Sequence, residues 1–229
     1  MKRKLTFVIL LAAVPALVLV GALLFDNKYY AFVSVTVALL ACVPPLYAFE
    51  KRNTGATELV MLAVLIALTA ASRFIFAWTS GLKPVTALVI LVGMTLGSES
   101  GFVVGALGAL LSNFYFGNGP WTPFQMFAWG VIGFVAGILV TPLKKNKILL
   151  FVYGALSGVA FSLIMDVYTA LWMDNTLNLS RYFAIILTSL PTTVSYAVSN
   201  VVFLVFLSVP VGKTLERIKN KYGVFKHVN

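Results

Sequence analysis

The sequence predicts an all-α membrane protein, with a six-helix core at about 56–210 preceded by an extra two-helix hairpin. Three observations carry this. Hydrophobic residues make up 60% of the chain and charged residues 10%, with a mean hydropathy of +0.97, which lies outside the soluble globular range. Apolar runs of about 20 residues, the length a helix needs to cross a bilayer, recur from end to end. These runs are continuous rather than alternating, so they do not describe a β-barrel.

The elements follow in order. Lys2, Arg3 and Lys4 precede an apolar run over 5–25. That run exceeds the core of about 7–15 residues in a signal peptide, and no small-x-small site precedes Asp26, so it reads as the first transmembrane helix. A second run over 29–49 completes an N-terminal hairpin, residues 1–52. The core, residues 53–211, carries segments at about 57–79, 84–97, 101–116, 121–141, 148–172 and 180–210. A basic tail, residues 212–229, closes the chain.

The stretch from Pro84 to Phe116 is too long for one crossing and short for two. From Val85 to Gly97 a helix covers only about 20 Å, at about 1.5 Å per residue. Ser98, Glu99 and Ser100 interrupt the run, and charge decides that they form a turn. With a break there, Lys2, Arg3, Lys4, Lys51, Arg52, Lys144, Lys145, Lys147 and the tail share one side, leaving Lys28, Lys83 and Arg181 on the other. Without it, the bias of basic residues toward the cytoplasm collapses. Both termini and the 98–100 turn are therefore placed in the cytoplasm, and the loops near 80, 118 and 176 outside. The net charge of +10 is thus read as a topology signal, with no nucleic acid as partner. The tail, with Lys213, Arg217, Lys219, Lys221 and Lys226, suits an anionic inner leaflet. Cys42 is the single cysteine, which excludes an intrachain disulfide and a cysteine metal site; it reads as a packing residue.

On the outer side lies the most unusual stretch, 112–130, rich in amides, aromatics, glycines and prolines. Gly117, Gly119, Pro120 and Pro123 argue against continuous helix. Irregular backbone in such a chain belongs at the water interface or in the wall of an enclosed cavity. The stretch is expected to be the rim and wall of a binding site. Asn113, Asn118, Thr122 and Gln125 have no task in an interfacial aromatic belt, whereas Tyr115, Trp121 and Trp129 suit either a belt or a pocket. Arg73 and Asp166 are the ionisable groups inside apolar runs, at matching depth. Either a structural ion pair or a substrate contact accounts for them. Together with Lys83 and Tyr168, this set of aromatics and amides suits a large, largely uncharged, partly amphipathic ligand better than a simple ion or phosphate.

Catalysis fails on inventory. His227 is the one histidine and lies in the C-terminal tail, so neither a Ser-His pair nor a zinc site can be built within the membrane. There is no Walker A loop, HExxH or GxSxG motif. Nucleotide chemistry, if any, belongs to another subunit. Small residues recur every fourth position at Gly93, Gly97, Gly101, Gly105 and Ala109, and again at Ala63, Ala67 and Ala71. Such spacing lets helices approach closely. The glycine series reads as packing within the bundle, while the alanine series is equally compatible with docking of another protein.

Several of these residues fall into recognisable runs: Lys83-Pro-Val-Thr-Ala87, Gly101-Phe-Val-Val-Gly-Ala-Leu-Gly-Ala109, Ser112-Asn113, and Gly117-Asn-Gly-Pro-Trp-Thr-Pro-Phe-Gln-Met126. Over about 56–210 the chain resembles the membrane-embedded S component of energy-coupling factor (ECF) vitamin transporters; the hairpin at 1–50 departs from the six-helix pattern. The resemblance implies a subunit of the cell membrane that captures a vitamin from outside and binds no cofactor of its own. It implies docking on a transmembrane coupling protein driven by two ATPase subunits, which use ATP and Mg, with the S component toppling to deliver its cargo. The family's Ala-x-x-x-Ala docking signature matches Ala63, Ala67 and Ala71. Its gating loops match those near 77–84 and 113–122. The 112–130 pattern looks most like the branch that includes cobalamin-specific members, so cobalamin or cobinamide is the expected ligand. Riboflavin, thiamine, biotin, folate, queuosine-type precursors and lipoate remain compatible with the residues.

Two readings from other classes compete. A membrane scaffold or assembly protein explains the glycine periodicity and the tail, but leaves Arg73, Asn113, Asn118 and Gln125 without a task. An intramembrane enzyme lacks the paired groups it would need. A channel is disfavoured because no ring of like charges or filter repeat is present.

Overall fold

The computed structural model describes residues 55–79, 81–174 and 178–225, with scattered helical positions between 35 and 50. Apart from those positions, the expected hairpin over 5–25 and 29–49 lies outside the described residues. Seven helices follow from Gly55 onward, with no strand among the described residues. They are α1 (Ala56–Ile75), α2 (Val85–Leu96), α3 (Ser98–Phe116), α4 (Thr122–Ile138), α5 (Val140–Lys145), α6 (Lys147–Asp174) and α7 (Leu179–Tyr222). Helices α1, α6 and α7 are long and apolar enough to cross a membrane.

The break expected at 98–100 is present but sits one residue earlier. Gly97 alone leaves the helical region, at φ 100°, and Ser98 already opens α3. Glycine accommodates that dihedral without a Cβ penalty, and Gly101 N–H donates back to the Gly97 carbonyl at 2.9 Å, so the serines and Glu99 serve as a first helical turn. The stretch 112–130 is also more helical than expected. Only 117–121 is irregular, and α4 restarts at Thr122 with Pro123 in its first turn. A proline there forfeits a donor that has no intrahelical acceptor anyway.

Helix α2 is the centre of the bundle. Its 12 residues are buried all round except Leu88. At about 1.5 Å per residue it is roughly 18 Å long, too short to span a hydrocarbon core of about 30 Å. It has no need to, because α3, α4 and α7 surround it. A helix apolar on every face is what a buried position requires.

The seams among α2, α3 and α4 are backbone on backbone. A Cβ on Gly93 would lie 2.1 Å from the Gly133 carbonyl oxygen, one on Gly101 2.5 Å from the same atom, and one on Gly105 2.5 Å from the Trp129 carbonyl. The glycine series therefore packs the bundle internally, and Ala109 at its end is fully buried. Cys42 packs into the main apolar cluster.

Helix α7 has 44 residues and carries Pro191 and Pro210 inside it. The basic segment from Gly212 is no separate tail in structure, because the same helix continues to Tyr222. Gly223, at φ 63°, then caps it, and Val224 and Phe225 fold back to bury themselves beside α1, where Phe225 N–H donates to Glu58. Two ends result. One carries Glu58, Lys144, Lys147 and the basic turns of α7, and is called the lysine end below. The other carries the C-terminal end of α1, the 117–121 loop and the N-terminal end of α7, and is called the aromatic end.

Candidate functional site

Toward the aromatic end, α1, α2, α4, α6 and α7 enclose a cavity of about 160 Å³. Its walls combine Arg73, Lys83, Thr86, Gln125, Trp129, Phe161, Tyr196 and Asn200, with Gly81, Val85, Gly158 and Met165 filling between them.

Arg73 anchors the polar wall. It lies in the last turn of α1 and is 6% exposed. One guanidinium nitrogen donates to Ser112 Oγ and, at 2.9 Å, to Asn113 Oδ1. The Asn113 amide in turn donates to Thr122 Oγ1 at 3.0 Å and to Gln125 Oε1 at 2.8 Å. Two turns of chain separated by the 117–121 loop are thereby locked to α1. The guanidinium also lies over the rings of Phe116 and Trp129, 4.7 and 5.0 Å from their centroids, a contact that favours a partly desolvated cation. Its Nε has no hydrogen-bond partner among the described residues. An unmet charged donor this deeply buried is costly, and the residue that carries it lines the cavity.

The aromatic wall is a stack. Trp129 and Phe161 lie 4.6 Å apart at 21°, and Tyr196 meets Phe161 edge-on at 5.5 Å. Trp129 is fixed by its indole N–H donating to Thr86 Oγ1 at 3.2 Å. On α7, Asn200 donates to the Gly154 carbonyl at 3.0 Å. A Cβ on Gly158 would lie 2.7 Å from Ala197 N, so glycine is what lets α6 and α7 close behind the cavity.

The loop before α2 forms the lid side. Gly81, at φ 86°, is buried so tightly that a Cβ would fall 2.8 Å from Ser195 Cβ. Ser199 Oγ accepts from Lys83 N–H at 2.9 Å and donates to its carbonyl at 3.2 Å. The Lys83 ammonium reaches over Phe116 at 5.3 Å. Burial, and then the charge of Arg73, hold it below the usual lysine range.

Of the residues expected from sequence, Arg73, Lys83, Gln125 and Trp129 therefore meet at one cavity, with Asn113 and Thr122 bracing them. Five do not line it. Tyr115 is 72% exposed and packs on Phe74 and Phe116. Asn118 is exposed, and its Oδ1 accepts from Thr122 Oγ1 at 3.3 Å. Trp121 and Tyr168 face each other at 6.5 Å in an aromatic cluster with Phe124 and Trp172. Asp166 accepts from Ser189 Oγ at 2.8 Å. The Arg73–Asp166 ion pair does not form, because Arg73 turns to α3 while Asp166 turns to α7. Sequence reasoning missed Thr86, Phe161, Tyr196 and Asn200. The spacing of four that puts Tyr196 and Asn200 on one face, opposite Gly154 and Gly158, was the available signal.

The walls thus offer stacking faces, two cations and amides, suited to holding a flat ring that bears carbonyl or anionic oxygens. A family model described as ECF-type riboflavin transporter, S component, matches residues 53–216. The chain belongs to that family. S components are membrane-embedded, non-enzymatic binding subunits of vitamin transporters, and they work with a module of a coupling protein and ATPases. No curated protein and no solved structure matches this S component significantly.

Proposed function

We propose that this S component captures a flat heteroaromatic vitamin of the riboflavin type in the Arg73–Trp129 cavity. The Arg73 guanidinium, lying over Trp129 in the cavity that the Trp129–Phe161 stack also lines, is the observation that carries it. A ring carbonyl accepting from the guanidinium adds a charged hydrogen bond, while Trp129, Phe161 and Tyr196 contact the ring faces and edges. Gln125 and Asn200 add amide groups that read its heteroatoms. Membership of the riboflavin-transporter S-component family supports this reading.

Cobalamin or cobinamide is the second reading. It draws on the exposed rim aromatics Trp78, Phe114 and Tyr115, and a corrin would require the 76–84 and 117–121 loops to part from a cavity of about 160 Å³. Titration of detergent-purified, ligand-free protein with riboflavin, FMN and cobalamin separates the two. Saturable quenching of flavin fluorescence, with no competition by cobalamin, supports the first; tight cobalamin binding alone overturns it.

Delivery follows the family scheme: docking on a coupling protein driven by two ATPases, in a multi-pass plasma-membrane assembly with the lysine end and both termini in the cytoplasm. Ala63 and Ala67 are exposed and Ala71 half-buried on α1, whose other side buries Leu62, Thr69 and Arg73. An apolar groove of about 610 Å³ runs beside them between α1 and α7. Small side chains next to a groove admit a close helix, which supports this face as the docking surface.

A further inference from the structure

A second, smaller cleft of about 270 Å³ opens at the lysine end, between α2, α5, α6 and α7. Its floor is hydrocarbon: Leu91 and Met94 of α2, Leu150 of α6 and Val209 of α7. Its mouth carries Lys144, Lys147, Lys213 and Glu216. Lys144 is committed to Glu216 at 2.6 Å. Lys147 and Lys213 have no carboxylate partner among the described residues, so the mouth holds an unbalanced positive charge above an apolar slot.

We infer that this cleft binds an anionic phospholipid, with its phosphate between Lys147 and Lys213 and one acyl chain along the Leu91–Met94 floor. Three features favour a lipid over a soluble anion. The cleft lies where the span meets the basic turns of α7. Its floor is greasy, which a free phosphate does not need. It also reaches Leu91 and Met94 of the largely enclosed α2, so an acyl chain there lies against the apolar centre of the bundle. Basic pockets between transmembrane helices have the right chemistry for lipid phosphates. The vitamin cavity shares no residue with this cleft, so the inference does not rest on the vitamin reading.

The test is native mass spectrometry of the full chain in mixed micelles, titrated with phosphatidylglycerol, phosphatidylcholine or inorganic phosphate. At about five-fold per lysine, K147Q/K213Q is expected to reduce the preference for phosphatidylglycerol over phosphatidylcholine roughly 25-fold. K147R/K213R should retain it, as should R217Q/K221Q, which removes equal charge elsewhere on the same helix. Equal adducts from both lipids, or an equal loss in R217Q/K221Q, would overturn the proposal. So would displacement of phosphatidylglycerol by millimolar inorganic phosphate. Thermal melting of each variant establishes that the exposed substitutions leave the fold intact.

Discussion

Replacing Gly93 with alanine is expected to pry α2 from α4. The added Cβ would sit 2.1 Å from the Gly133 carbonyl oxygen, 3.0 Å from its carbon and 3.3 Å from Gly137 N, where ordinary contact begins at 3.4 Å. All three atoms are backbone, so no rotamer relieves the overlap. The helices must part by on the order of 1 Å, and a gap of about that size forfeits up to roughly half of each contact's dispersion energy. Overpacking of this kind costs typically about 1–3 kcal/mol; with backbone on both sides, about 3 kcal/mol is the reasonable figure. At roughly 2–4 °C per kcal/mol for a chain of this size, the melting temperature should fall by about 6–12 °C. Intrinsic tryptophan fluorescence during heating of the detergent-purified protein reads this directly. Gly212→Ala is the control, since nothing lies within 4 Å of its Cβ and helix propensity favours alanine by about 1 kcal/mol. If Gly93→Ala melts within about 2 °C of the parent, or Gly212→Ala falls as far, the close-packed seam is not what stabilises the bundle.

Three further outcomes are expected. Arg73→Met should weaken vitamin binding by roughly 10- to 100-fold, the worth of about 1.5–3 kcal/mol for a hydrogen bond to a charged group; undiminished affinity in a flavin titration would remove Arg73 from the site. Ala67→Leu should abolish co-purification with the coupling protein while leaving vitamin affinity unchanged, whereas loss of both would mean that α1 is simply misfolded. Lys83 gives a pH signature. Its folded pKa is lowered by burial and by Arg73, so the unfolded chain binds this proton more readily. Stability should therefore rise with pH between the folded and unfolded pKa values. Vitamin affinity should fall as pH rises through the folded pKa and the cation is lost, and Lys83→Met should flatten both slopes in parallel melting and binding titrations.

Much of the architecture was legible because membrane helices announce themselves by length and hydropathy. The glycine series was legible as internal packing, since only residues without side chains fit a spacing of four along a close seam. What misled was local: proline and glycine in 112–130 argued for an irregular wall, but Pro123 sits where a helix tolerates it, and the disruption shrinks to 117–121. In the site, Arg73, Lys83, Gln125 and Trp129 stood out as polar or amphipathic groups against apolar neighbours. Thr86, Phe161, Tyr196 and Asn200 did not, because each is ordinary in its own helix and becomes a wall only when α2, α6 and α7 converge. Tyr115, Trp121 and Tyr168 show the converse, aromatic residues near the cavity in sequence that turn to the protein's aromatic rim instead.

The sequence by itself determined that the chain is a helical membrane protein, where its core segments lie, and which family it resembles, because each of these is written in runs of neighbouring residues. Only the tertiary structure decided that Arg73 bonds Ser112 and Asn113 rather than Asp166, and that its guanidinium lies over Trp129 beside a cavity. Partner choice for a buried charge depends on helix rotation and depth to within an ångström or two, and those are set by backbone contacts such as Gly93 on Gly133, between segments far apart in the chain.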